Sequence, residues 1–216
     1  MMNKINYTNM MWGPYVSKMQ VEEHIVKKLL NDGELLKENK RKNNHNPALA
    51  GNLENQFKYN QDTENFFWEE MVPYLQCYRH GHCEFHKIKY YDVKFKSESL
   101  WVNFMKAGEF NPPHIHTSDL SFVLFLQVPK ELEYERRQFE GTASGPGDVV
   151  FVHGEYNKPV WTSNHNVHFP KVGDLIIFPA LTQHHVHPFQ TKGVERVSVS
   201  GNLRYIKDND WPNDYF

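Results

Sequence analysis

The chain changes its hydrophobic period near residue 85. Before that point apolar residues recur at helical spacing; after it they alternate, as in strands that bury one face. Val21, Ile25 and Leu29 recur every four residues behind Ser17-Lys18-Met19-Gln20, which reads as a capping box opening a helix. Met11 to Val16 reads as a short extended lead-in, and Asn31-Asp32-Gly33 as the end of that helix. Lys37 to Asn46 is basic, rich in asparagine and without apolar period, so a solvated linker is expected there. A second helix is predicted to start near Asp62-Thr63, with Phe67, Met71, Tyr74 and Tyr78 on one face and a kink at Pro73.

Period two begins with Phe85 to Phe95 and continues in Leu100 to Met105, His114 to Val128, Asp148 to Val152, Val160 to Phe169, Asp174 to Phe178 and Val194 to Tyr205. Many short strands behind an early helical part predict a mainly β fold, an antiparallel jelly roll with N-terminal helices packed on one sheet. The corresponding domain reading is a helical extension over residues 1–84, a β core over 85–207 and a tail over 208–216. Pro129 to Pro170 is long and polar, and reads as an excursion at the barrel mouth that shapes access to a site.

Composition narrows the function classes. The formal net charge of −2, with 24 Lys and Arg against 26 Asp and Glu, provides no global field for nucleic acid or an anionic membrane, so neither is expected as a partner. Two cysteines, Cys77 and Cys83, make no disulfide framework and fit a reducing cytoplasm. With no leader-like N-terminus and no apolar run of about 18 residues, a soluble cytoplasmic protein is expected, in the host cytoplasm if phage-encoded. Aromatic residues make up 14% of the chain, as suits stacked strands.

The chemistry concentrates at histidines, of which there are 13. In Asn111-Pro112-Pro113-His114-Ile115-His116 an extended backbone puts His114 and His116 on the same face, where two imidazoles can share one ion. A third ligand is available in Phe178-Pro179-Ala180-Leu181-Thr182-Gln183-His184-His185-Val186-His187-Pro188. Spacing does not choose there between His184 on one strand face and His185 with His187 on the other. Asp119 is the nearest carboxylate to the early pair and the alternative third ligand of a two-His, one-carboxylate iron site. Cys77, His80, Cys83 and His86 have zinc-like residue types, but too little chain separates them to wrap a tetrahedron; a turn without metal is expected. Arg196, Ser198, Ser200 and Asn202 share one strand face opposite Val197 and Val199, and Arg196 with Ser198 could hold a carboxylate.

These motifs in this order, with Ser121 before the apolar strand and Gly173-Asp174-Leu175-Ile176-Ile177-Phe178-Pro179 before His184, resemble a 2-oxoglutarate- and Fe(II)-dependent oxygenase family frequent in bacteriophages and marine bacteria. The resemblance runs from about Trp101 to Tyr205. It implies a double-stranded β-helix with Fe(II) on His114, His116 and the late His, and its pattern selects His184. It also implies 2-oxoglutarate as cosubstrate on Arg196 and Ser198, with Asn103 in the same site. This chain has Phe122 where the family usually has Gly, and Leu124-Phe125 where it tends to have tyrosines. The implied reaction is hydroxylation of a substrate, read by analogy as a peptide or protein side chain, with release of succinate and CO2. Tyr134, Phe139, Tyr156 and Trp161 in the excursion are aromatics able to pack a peptide or ring. Two rivals accompany this reading: a three-His, cupin-like iron dioxygenase that needs no 2-oxoglutarate, and a metal-stabilised jelly-roll binding or virion-associated protein without turnover. Oligomeric state stays open at this level.

Overall fold

The computed structural model describes residues 13–90, 93–142, 144–154 and 164–206. Strands β1 (Ser17–Gln20), β2 (Asn55–Lys58), β3 (Lys94–Met105), β5 (Leu120–Gln127), β8 (Asp174–Pro179) and β10 (Arg196–Ile206) form a six-stranded sheet in the order β1-β8-β5-β10-β3-β2. A four-stranded sheet has β4 (Asn111–His114), β6 (Val149–Val152), β7 (His165–His168) and β9 (Gln183–Val186), in the order β4-β9-β6-β7. Every pairing in both sheets is antiparallel. Helices α1 (Glu23–Leu36), α2 (Lys40–Asn43), α3 (Gln61–His86) and α4 (Lys130–Arg137) complete the described elements, with two short 3-10 turns.

Strand parity builds three layers. Val102 and Phe104 of β3, Leu124 of β5, Leu175 and Ile177 of β8, and Val197 and Val199 of β10 join one buried cluster with Ile25 and Leu29 of α1 and Phe67, Met71 and Tyr78 of α3. The intervening residues face the other way: Met105, Phe125, Ile176 and Phe178 pack against Val149, Phe151 and Val186 of the smaller sheet. Helices therefore cover one face of the six-stranded sheet and the second sheet covers the other, as the jelly-roll reading expected. A cleft between the sheets is lined in part by residues of β4 and β9.

Local patterns mislead at four places. Ser17–Gln20 opens no helix; it is β1, paired with β8 at Ser17↔Ile177, because the free edge of β8 offers a ladder that outweighs a local capping signal. Gly33 does not end α1, which runs to Leu36. A Cβ at Gly33 would stand 3.2 Å from both Tyr59 Oη and Val102 Cγ2, so glycine there lets the helix approach the sheet. Lys37 to Asn46 is mostly helical turn rather than linker, and Lys37 anchors it, with its ammonium 3.8 Å from the Phe104 ring centroid and 2.7 Å from Glu195. Of the strand predicted over Phe85 to Phe95, Phe85 and His86 are instead the last turn of α3, while Lys94 and Phe95 lie in β3. That helix ends at a left-handed Lys87 (φ 56°), where Ile88 N–H donates to the Cys83 carbonyl at 3.0 Å.

Cys77, His80, Cys83 and His86 accordingly lie on a helix, not in a turn, with Cys77 exposed and Cys83 buried. Pro73 sits on the exposed side of α3, where water can serve the carbonyl it leaves without a partner. The 129–170 excursion contributes α4, β6 and β7. Met11, Trp12, Tyr156, Trp161, the start of the Val160 to Phe169 segment and the 208–216 tail lie outside the described residues.

Candidate active site

Two strands of the smaller sheet bring the histidines together. His114 on β4 stands directly opposite His184 on β9, which has Phe151 of β6 opposite on its other side. His116 lies two residues beyond His114, and its amide donates to the Ala180 carbonyl at 2.9 Å, fixing the extended backbone. Ring centroids are 4.2 Å apart for His114 and His184 and 5.1 Å for each of the other two pairs. One ligand atom from each ring lies within 4.8 Å of the others, a spacing that suits three imidazoles around one ion.

The remaining candidates fall elsewhere. Asp119 is exposed and accepts the Tyr205 amide at 2.7 Å, so it is not part of this cluster. His185 and His187 meet edge to face away from it, their ring centroids 5.0 Å apart, and His187 Nε2 is 2.6 Å from Ser144 Oγ.

Backbone carbonyls set the tautomers. His114 Nδ1 is 2.7 Å from the Pro112 carbonyl and His184 Nδ1 is 2.9 Å from the Thr182 carbonyl; because a carbonyl only accepts, each Nδ1 carries the proton. Nε2 is left as the lone-pair atom of both rings, the arrangement in which an outer partner orients a metal-binding imidazole. Burial, with His114 as the next cause, pushes His184 down to about 3 and His116 to about 4. Both rings are neutral at ordinary pH, as ligands must be.

Across the cleft, β10 turns Arg196 and Ser198 inward, both buried. Arg196 Nη1 donates to the Gly147 carbonyl at 2.9 Å and Nη2 contacts Met105 Sδ at 2.9 Å, while the buried Nε has no partner. Among the described residues no carboxylate pairs with it; burial lowers it only to about 10, so the cation persists. A buried guanidinium without an anion fits a ligand carboxylate. Asn103, buried on β3, extends Nδ2 toward Ser200 Oγ at 3.2 Å and Ser198 Oγ at 3.5 Å. The cleft joining these groups encloses about 610 Å³, open solvent included, and its walls include Phe151, Phe178 and Val186.

Residues 99–202, from within β3 to within β10, match a family model described as "Putative 2OG-Fe(II) oxygenase". The chain carries a 2-oxoglutarate/Fe(II) oxygenase domain. Fe(II) and 2-oxoglutarate are its cofactors, and the cluster of His114, His116 and His184 is a donor set that suits the iron. No curated protein matches the oxygenase significantly in sequence. In structure it is similar to the viral collagen prolyl hydroxylase of Paramecium Bursaria Chlorella virus-1 (TM-score 0.55, 15% identity, 90% of this chain and 98% of that one). A Pseudomonas putida prolyl-4-hydroxylase gives TM-score 0.52 and 13% identity over 88% of this chain and 91% of that one. The alpha-ketoglutarate-dependent epimerase SnoN from nogalamycin biosynthesis gives 0.54 and 14% over 89% and 78%. At these identities the likeness is one of fold.

Sequence reasoning missed Gln56, which β2 inserts into the cleft wall, together with Leu49 and Gly51. Nothing in residues 49–56 announces a site, because Gln56 reaches it through the pairing of β2 with β3 and residues 49–51 lie beside the bridge from Asn52 to Phe110. Trp101 carried a usable signal: Trp101, Asn103 and Met105 alternate with apolar residues, which puts an asparagine on a buried strand face.

Proposed function

We propose that the protein is a 2-oxoglutarate-dependent hydroxylase acting on a peptidyl side chain, with His114, His116 and His184 as the iron ligands. Arg196 and Ser198 take the far carboxylate of 2-oxoglutarate, with Asn103 beside them. When bound, Fe(II) and 2-oxoglutarate split O2 between two products: one oxygen atom ends in succinate as CO2 leaves, and the other enters a substrate C–H bond as hydroxyl. The chain's own residues hold, orient and shield. Hydrogen bonds to Pro112 and Thr182 hold two ligand rings in the ligating tautomer, and the apolar walls at Phe151, Phe178 and Val186 keep water from the reacting centre.

The observation that carries this reading is Arg196, a buried cation without an anion in the same cleft as the histidine triad. A peptidyl substrate is supported by the fold shared with the two prolyl hydroxylases. The test is succinate formation by anaerobically purified, Fe(II)-loaded protein given 2-oxoglutarate and oxygen, with Arg196→Ala alongside. Arg196-dependent succinate is the expected result. A second reading is favoured by the ligand set alone, since three histidines without a carboxylate also suit a cupin-like dioxygenase that needs no 2-oxoglutarate. Oxygen consumption with iron bound but without succinate would select it.

A further inference from the structure

Among the described residues, two buried acceptors in the cleft have no donor. Trp101 Nε1–H can only donate, and it points at an Asn103 side-chain atom 3.1 Å away, so that atom is the oxygen Oδ1. Gln56 reaches the same oxygen at 2.8 Å and must therefore present its Nε2. Its Oε1 is thereby turned out of the network, buried and without a partner, on a residue only 2% exposed. Asn111 Oδ1 is buried and unpartnered as well. Gly51 packs between the two side chains: a Cβ there would stand 2.4 Å from Asn111 Oδ1 and 3.1 Å from Gln56 Nε2.

2-Oxoglutarate cannot serve these acceptors, because as a dianion it brings acceptors only. Their donor must come from the other substrate. A cationic donor is disfavoured, since among the described residues no carboxylate lines the cleft and the Arg196 cation already does. A hydroxyl would bring lone pairs that need donors of their own. An amide carries its donor and its acceptor on separate atoms, so its N–H can meet these oxygens while its carbonyl turns to a different neighbour. Water can occupy the acceptors in the free enzyme and leave as substrate binds.

We propose that Gln56 Oε1 and Asn111 Oδ1 are specificity-determining acceptors that take N–H groups of a neutral amide, the main chain of a peptide substrate. The inference rests on the oxygenase reading and extends it to substrate class. It assigns the wall that β2 and residues 49–51 build to substrate rather than cosubstrate.

The probes are pooled N-acetylated, C-amidated tripeptides with each of the twenty residues in the centre, and counterparts with one N–H replaced by an ester oxygen. Binding is measured by calorimetry on the anaerobic Fe(II)- and 2-oxoglutarate-loaded enzyme, where no turnover intervenes. Amide probes are expected to bind, and an ester at a recognised N–H to bind about tenfold more weakly, as for a buried acceptor left unsatisfied. Asn111→Ala or Gln56→Met should bring amide and ester to equal affinity at the N–H that residue serves. Equal affinity of amide and ester in the wild type, failure of every tripeptide to bind, or an undiminished preference in both variants overturns the proposal. Oxygen is then admitted and succinate measured. An amide preference without succinate supports the acceptor pair and removes the hydroxylase reading; succinate without the preference does the reverse.

Discussion

Arg196 holds its charge in a place where charge is costly. A drop from 12.5 to about 10 corresponds to burial disfavouring the cation by on the order of 3 kcal/mol, a penalty that an arriving anion offsets. Arg196→Met should therefore leave the ligand-free protein as stable as the wild type or more so by thermal denaturation, while 2-oxoglutarate affinity falls at least about a hundredfold with iron retained. The histidines behave oppositely. His184→Ala should abolish iron binding, read as metal content after anaerobic loading, and near-stoichiometric iron would remove His184 from the ligand set. His116 and His184 also set a pH dependence in metal-free protein. Their folded values lie near 4 and 3, below the 6.5 of an ordinary histidine, so between those limits the unfolded chain binds more protons. Stability is full above pH 6.5 and declines as pH falls toward 4. Melting of chelator-treated protein at pH 7.5 and 5 checks the sign, and an unchanged melting temperature would place these rings in water.

At the level of elements, the strands that carry the site were legible because both of their faces are constrained. Val197 and Val199 meet the helices while Arg196 and Ser198 meet the cleft, so β10 keeps strict alternation and reveals its polar face. Likewise β5 and β8, each buried on two sides, read as near-continuous apolar runs. What sequence hid depends on distant partners. β1 exists because the edge of β8 is free, α1 passes Gly33 because the sheet is close, and α3 ends on a lysine where glycine is the usual sign. The exchange at Phe122 is explained across the sheet, where Gly201 sits opposite it in β10. Phe122 stacks on Phe67 at 5.2 Å, and a Cβ at Gly201 would stand 2.6 Å from its ring and 2.7 Å from the Ser99 carbonyl oxygen. Gly201→Ala should cost about 1–3 kcal/mol in chemical denaturation. Adding Phe122→Ala should not relieve it fully, because the Ser99 carbonyl remains.

For the molecule as a whole, the N-terminal segment supplies strands and helices to the six-stranded sheet and its cover. β1 and β2 occupy the two edges of the six-stranded sheet, and α1 and α3 cover its outer face. A fragment of residues 85–207 would lose both edge strands and bare that apolar face, so it is expected to aggregate, eluting in the void volume on size exclusion where the full chain elutes as a discrete species. The same arrangement governs when the protein can fold. Ser17 pairs with Ile177, and at a synthesis rate of about 5–20 residues per second β1 waits on the order of ten seconds for its neighbour to be made. Such distant pairings carry a large loop-closure cost and slow folding. The sheet that holds Arg196 is thus closed after most of the chain has left the ribosome, and in the interval the early strands depend on whatever keeps a nascent chain apart from its copies.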